Sequence, residues 1–266
     1  MTMRFSFLPL LLSFVLASSV SAQEAEPPAG IAKEHGLWSA FQKGAWKTLE
    51  IRTETYREGK LQVVKKTTET TNLAEVTLGS VALEVASVTE VGGVSFKSNP
   101  PIISQLWEGE IVNGKRKVQK EPVEVIIEGK PVACKVITIT SSTEEGKTVT
   151  DEVYYSDAVA PYILRRTRTV KSPKEKVLSK ATMVVEALNM PFYVLNETIS
   201  GALVKSVIEN ETGKTLEWAQ VSLRVPGGIM ARTSKKVGKD GELLQRSILR
   251  LVDYGTKPAP TGSPTM

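Results

Sequence analysis

The stretch WKTLEIRTETYREGKLQVVKKTTET, residues 46–70, decides the fold. From Trp46 to Arg57 the side chains alternate, with Leu49 and Ile51 on one face and Glu50, Arg52 and Glu54 on the other. Glu58-Gly59-Lys60 interrupts the run, and Leu61 to Thr70 returns. A period of two is the period of a strand, and a short glycine-bearing break between two such runs is a hairpin. The pattern predicts antiparallel pairing.

The same signal extends along the chain. Ser80 to Glu90 sets Val81, Leu83, Val85 and Val88 among small and polar residues. Val94 to Lys97 and Ile102 to Trp107 read as shorter strands around Asn99-Pro100-Pro101. Asn113-Gly114-Lys115 and Glu128-Gly129-Lys130 announce two more hairpins, in a region rich in Thr, Val and Ile. Helical spacing occurs in one place, where Leu37, Trp38 and Phe41 lie within Lys33 to Lys43, although Gly36 and Gly44 work against a helix there.

An internal repeat organises the second half. Residues 144–188 align with 211–255 at an offset of 67, placing Gly146-Lys147-Thr148 on Gly213-Lys214-Thr215 and Arg165 on Arg232. Each copy reads as turn, strand, proline corner, strand, turn, strand. The corners are Val159-Ala160-Pro161 and Val225-Pro226-Gly227-Gly228, where the register slips. Pro161 and Pro226 cannot donate ladder hydrogen bonds and so belong at strand ends.

The expectation is an all-β protein: a large antiparallel meander forming a curved sheet or half-barrel, with an internal repeat and one short N-terminal helix. Two packed β-sandwich-like units are the alternative. Residues 1–22 read as a signal peptide: Arg4, an apolar stretch to about Leu16, then the small-residue exit Ser18 to Ala22, with cleavage before Gln23. Residues 23–45 form a leader, 46–255 the β domain, and 256–266 a Pro-, Gly- and Ser-rich disordered tail.

Composition narrows the function. Lys and Arg number 34 against 29 Asp and Glu, a formal charge of +5 spread along the chain, which is no nucleic-acid footprint. No later stretch has the roughly 20 apolar residues of a transmembrane helix. Cys134 is the only cysteine, so an internal disulfide is excluded, and its run Val132 to Ile137 reads as a strand holding a small buried apolar side chain. His35 is the only histidine and reads as an exposed polar residue. No metal site or cofactor is expected from these two residues. Asp151 and Glu152 are adjacent and leave opposite faces of a strand. Glu50 and Glu54 share a face with cationic neighbours, which reads as a solvent face of cross-strand charge pairs. The Gly-Lys-Thr triplets lack the upstream glycine of a phosphate loop. Arg165, Arg166 and Arg168, with Arg232, Lys235 and Lys236, form a basic stripe, which reads as a solvent face or as a patch for an anionic polymer.

The corner Tyr154-Tyr155-Ser156-Asp157-Ala158-Val159-Ala160-Pro161, followed by the basic strand Tyr162 to Arg168, resembles secreted bacterial β-rich proteins that look like the periplasmic lipoprotein carriers of the LolA/LolB type. Val225 to Ile229 resembles a second instance. The resemblance implies a curved antiparallel sheet whose concave face accepts acyl chains. The expected function is a secreted or periplasmic, non-catalytic β-protein that binds a lipid-like or polymeric ligand. The alternatives are a carboxylate-based enzyme on extracellular polysaccharide and a protein–protein assembly module. Tyr154, Tyr162 and Trp218 are the candidates for lining the concave face, with the inward parity left to the strand register.

Overall fold

The computed structural model describes residues 31–98, 100–107, 114–143 and 145–257. The signal segment 1–22, most of the tail, Asn99, Asn113 and the first residue of the first repeat copy lie outside the described residues.

Fifteen strands build one open, curved, antiparallel sheet. They are β1 (Trp46–Arg57), β2 (Lys60–Val76), β3 (Ser80–Val91), β4 (Val94–Lys97) and β5 (Ile102–Leu106). Next come β6 (Lys115–Val118), β7 (Val123–Ile127), β8 (Lys130–Ser142), β9 (Thr148–Tyr155) and β10 (Ile163–Lys171). The chain closes with β11 (Val177–Val194), β12 (Glu197–Asn210), β13 (Gly213–Val221), β14 (Ile229–Gly238) and β15 (Leu243–Gly255).

Neighbours in sequence are mostly neighbours in space, as short hairpin turns require. The turn at Glu58-Gly59 has both residues at positive φ, 52° and 70°, the geometry whose twist matches flanking strands. Glu128-Gly129 repeats it at 50° and 76°. The long-range step is the pairing of β1 with β15, which places Trp46 opposite Gly255 and Glu54 opposite Arg246. The sheet therefore runs from β4 through β1, crosses to β15, and descends in order to β8 and β6, with β5 on β3 and β7 on β8 as branches. One continuous ladder replaces the alternative of two packed sandwich units.

The predicted helix shrinks to one turn. Lys33–His35 is a 3-10 turn without buried residues. Gly36 is one reason, because it is a poor helix former and its backbone is extended, φ −79° and ψ 141°. The other is that Leu37 uses its carbonyl to accept the Gly227 N–H at 2.8 Å, and an α-helix would need that carbonyl for itself. The segment 31–45 is nonetheless packed: Ile31, Trp38 and Ala45 are buried, the Ala45 carbonyl accepts the Leu73 N–H, and the Gly44 N–H donates to the Leu73 carbonyl.

Buried apolar side chains form four clusters. Val204, Ala219 and Val221 anchor one, with Cys134 and Leu164. Leu49, Ile199, Met230 and Leu249 form another at the junction of β1 with β15.

Candidate functional site

The segment 31–45 lies against one face of the curved sheet, and a cavity of about 410 Å³ remains beneath it. Leu37 and Trp38 line it from the segment; Met183, Val204, Ala219, Val221 and Ile229 from β11 to β14; Val81, Leu106 and Trp107 from the β3–β5 arm. Strands far apart in the ladder reach one cavity because the sheet curves. The lining is largely apolar, and the volume falls within the roughly 300–1,000 Å³ of small-molecule sites.

Register fixes which parity faces inward. Val204 stands opposite Ala219, and Ser206 opposite Glu217, and all four line the cavity. Side chains alternate along a strand, so Trp218, between Glu217 and Ala219, faces away. Trp218 stands opposite Lys205, and Tyr154 opposite Arg165 and Val136. The guanidinium of Arg165 is 5.1 Å from the Tyr154 ring centroid, and Tyr154 packs on the cluster of Val125, Cys134 and Leu164. The structure thus places neither Tyr154 nor Trp218 on the wall of this cavity. Tyr162 sits at the rim, between Pro161 and Ile163, which do line the cavity.

His35 is the residue that sequence reasoning misjudged. Its ring stacks on Tyr162 with centroids 3.7 Å apart, and its Nδ1 is 2.6 Å from the Tyr155 hydroxyl. It is half-buried and pins the leader to the sheet.

Lys47 is the most unusual polar group in the cavity wall. It is 5% exposed, and its ammonium lies 5.3 Å from the Trp38 ring centroid. It donates a long hydrogen bond to the Gly227 carbonyl at 3.4 Å. Burial lowers its pKa to about 8, with Glu69 opposing and Arg232 reinforcing that fall. Position 47 shares parity with Leu49 and Ile51, so a lysine on the apolar face of β1 was the available sequence signal.

Two acid–arginine pairs flank the cavity. Asp151 is fully buried and receives Arg166 Nε at 2.9 Å on each carboxylate oxygen, with Arg166 Nη2 and Arg168 Nη2 adding further bonds. Burial pushes its carboxyl up, but the hydrogen bonds and charges of Arg166 and Arg168 outweigh burial and hold it below its ordinary value. Glu217 faces Arg232 at 3.6 Å. Part of the predicted basic stripe therefore turns inward as partners of acids. Glu50 and Glu54 are held by Lys66 and Arg250, and by Arg246 and Arg52, as the cross-strand charge reading requires. Cys134 is buried, and burial raises its pKa. Among the described residues no group of three or more His, Cys, Asp or Glu side chains is placed to hold a metal. No helix among them is long and apolar enough to cross a membrane.

Fold and cavity together define a class: an open, curved antiparallel sheet with a covered apolar pocket on one face. No protein-family model matches the chain, and no curated protein does. Solved structures similar to it include a protein of Bacteroides fragilis, described as exported and YmcC-like in fold, at 11% identity and TM-score 0.32, covering 80% of this chain and 97% of that one. A domain of an outer membrane lipoprotein-sorting protein from Vibrio parahaemolyticus matches at 11% identity and TM-score 0.31, over 88% and 96%. A lipoprotein of Parabacteroides distasonis matches at 12% and 0.29, over 83% and 98%.

Proposed function

We propose that the chain is an exported, non-catalytic protein that holds a lipid-like ligand in the cavity between the leader segment and the sheet. Residues 1–22 direct export in this reading and are cleaved before Gln23. The observation that carries it is the 410 Å³ space lined by Trp38, Val81, Met183, Val204, Val221 and Ile229. Apolar surface facing such a space is stabilised when an apolar chain displaces water from it, by roughly 25 cal/mol per Å² buried. Carboxylate chemistry has weaker support. Asp151 is clamped by two guanidinium groups, and among the described residues Glu217 is the one carboxylate on the cavity wall.

Native mass spectrometry of purified protein and titration with a fluorescent fatty acid test the proposal together. A one-to-one adduct and saturable uptake are expected, and both should weaken in Met183→Trp, which narrows the cavity. Trp218→Ala, on the opposite face, should bind as the parent does. Absence of any adduct and of saturable uptake would remove the carrier reading.

A further inference from the structure

The cavity wall is not uniformly apolar, and two of its donors, Lys47 and Trp107, are poorly supplied with acceptors among the described residues. Lys47 carries three N–H donors, and the structure gives them one acceptor, Gly227 O at 3.4 Å. No carboxylate lies within ion-pair distance of it among the described residues. The Trp38 ring lies beside the ammonium, a favourable but non-neutralising neighbour. Trp107, another lining residue, has a buried indole N–H with no hydrogen-bond partner among the described residues. Buried donors are normally satisfied, and each exception needs an explanation. A buried ammonium is ordinarily paired, because an unpaired charge away from water is strongly unfavourable.

Resting on the lipid-like reading above, we propose that the ligand is a single-chain amphiphile with an anionic head, carboxylate or phosphate, and that Lys47 binds this head. The head supplies the missing acceptors at the Gly227 end of the cavity. The chain then extends along Val204, Ala219 and Val221, where the wall is apolar. The lowered lysine pKa agrees with this geometry, since burial outweighs the attraction of Glu69 and leaves the ammonium only partly compensated. The anion would form a charge-assisted hydrogen bond in a water-poor site, where such bonds are strongest.

The test compares three probes with one tail: laurate, dodecyl phosphate and dodecanol, each competing against a fluorescent fatty acid. The expected result is that at least one anion binds tenfold or more tightly than dodecanol. The better anion identifies the head chemistry. In Lys47→Met the preference should vanish while dodecanol affinity stays within about twofold. As Lys47→Met is open to misfolding, a second readout uses the parent protein with its lysines labelled at Cε with carbon-13. The Lys47 resonance should shift on adding the preferred anion and stay in place with dodecanol. Equal affinity for all three probes, or a preference that survives in a folded Lys47→Met, would overturn the assignment to Lys47. If none of the three binds, the lipid-like reading itself fails.

Discussion

The two proline corners share three backbone hydrogen bonds, although Gly227 at φ 70° stands where the first corner has Pro161, and they meet the leader differently. In the first, Ser156 N–H donates to Tyr162 O, Tyr162 N–H to Val159 O, and Ile163 N–H to Pro161 O. In the second, Ser222 donates to Gly228, Gly228 to Val225, and Ile229 to Gly227. The sixth-step residues have the same left-handed backbone, Tyr162 at φ 69° and Gly228 at 75°. The registers also agree: Tyr155 pairs with Ile163 as Val221 pairs with Ile229, and Val153 pairs with Arg166 as Ala219 pairs with Arg232. After each corner the ladder bulges, at Leu164 and at Met230, and both side chains are buried. What differs is how the leader is received. The second corner lies backbone-on against Leu37 and Trp38, whereas the first reaches the leader with the Tyr162 ring.

That difference has a steric cause. A Cβ on Gly227 would stand 2.6 Å from the Trp38 ring and from Lys47 Nζ, and one on Gly228 would stand 2.8 Å from Leu37. The largest effect is therefore expected from Gly227→Val. Overpacking and a branched residue at φ 70° together cost about 4 kcal/mol, enough to release the leader. Gly59→Ala is the control, since Gly59 has the same φ of 70° but open space around it. It should cost about 1 kcal/mol, from backbone strain alone. Thermal denaturation checks both, and equal losses would mean that the leader contact contributes nothing.

The acid–arginine pairs differ in burial between the copies. Asp151 and Glu217 stand at equivalent positions, as do Arg166 and Arg232. Asp151→Asn leaves two partly buried guanidinium groups without their charge partner and is expected to cost about 3 kcal/mol. Glu217→Gln acts on a pair with side chains 23% and 34% exposed, and the expected loss is below about 1 kcal/mol. Urea titrations of the two variants measure the contrast. The pH dependence follows in sign. Asp151 has its folded pKa below its unfolded value, so its contribution is present above the unfolded value and is lost as pH falls through the folded one. Acid should narrow the gap between parent and Asp151→Asn.

These equivalences show what the sequence could and could not yield. Period two made the strands legible from Trp46 onward, and glycine turns located the hairpins. The corners were legible too, but the repeat was aligned at 67 residues, whereas Tyr155 and Val221, or Ile163 and Ile229, are 66 apart. One residue of slip is one change of face in a strand. It put Arg165 rather than Arg166 opposite Arg232. Bulges at Leu164 and Met230 leave no signature that alternation alone reveals. His35 finds its hydroxyl partner 120 residues away, so nothing local marked it. Lys47 could have been found, because its parity is that of Leu49.

Lys47 is held against the second corner and has no counterpart at the first. A lysine with its folded pKa near 8, against 10.5 when unfolded, binds its proton less readily in the fold. Stability should therefore rise as pH increases from about 8 to 10.5, by roughly 2–3 kcal/mol from this group. Tyr155 and Tyr254, whose pKa values burial raises, act in the opposite sense at the alkaline end. The informative quantity is thus the difference between the parent and Lys47→Met. That variant should be the more stable at pH 7, with its advantage shrinking toward pH 10.5. A constant difference across the range would show that the ammonium is solvated.

The smallest expected effect lies at the first corner, where two terms oppose each other. Tyr162 holds a left-handed backbone that costs a side-chain-bearing residue about 1 kcal/mol more than glycine. Its ring recovers a similar amount by stacking on His35, about 0.5–1.5 kcal/mol for an aromatic pair. Tyr162→Gly copies the second corner, removing the strain and the stack at once, and should change stability by less than about 1 kcal/mol. In a His35→Ala background the stack is already absent, so the same substitution loses less and should be neutral or stabilising. A double-mutant cycle by urea denaturation reads the coupling directly, with about 1 kcal/mol expected. Zero coupling would mean that the ring stack does not hold the leader, and that the backbone contacts at Gly227 and Gly228 hold it alone.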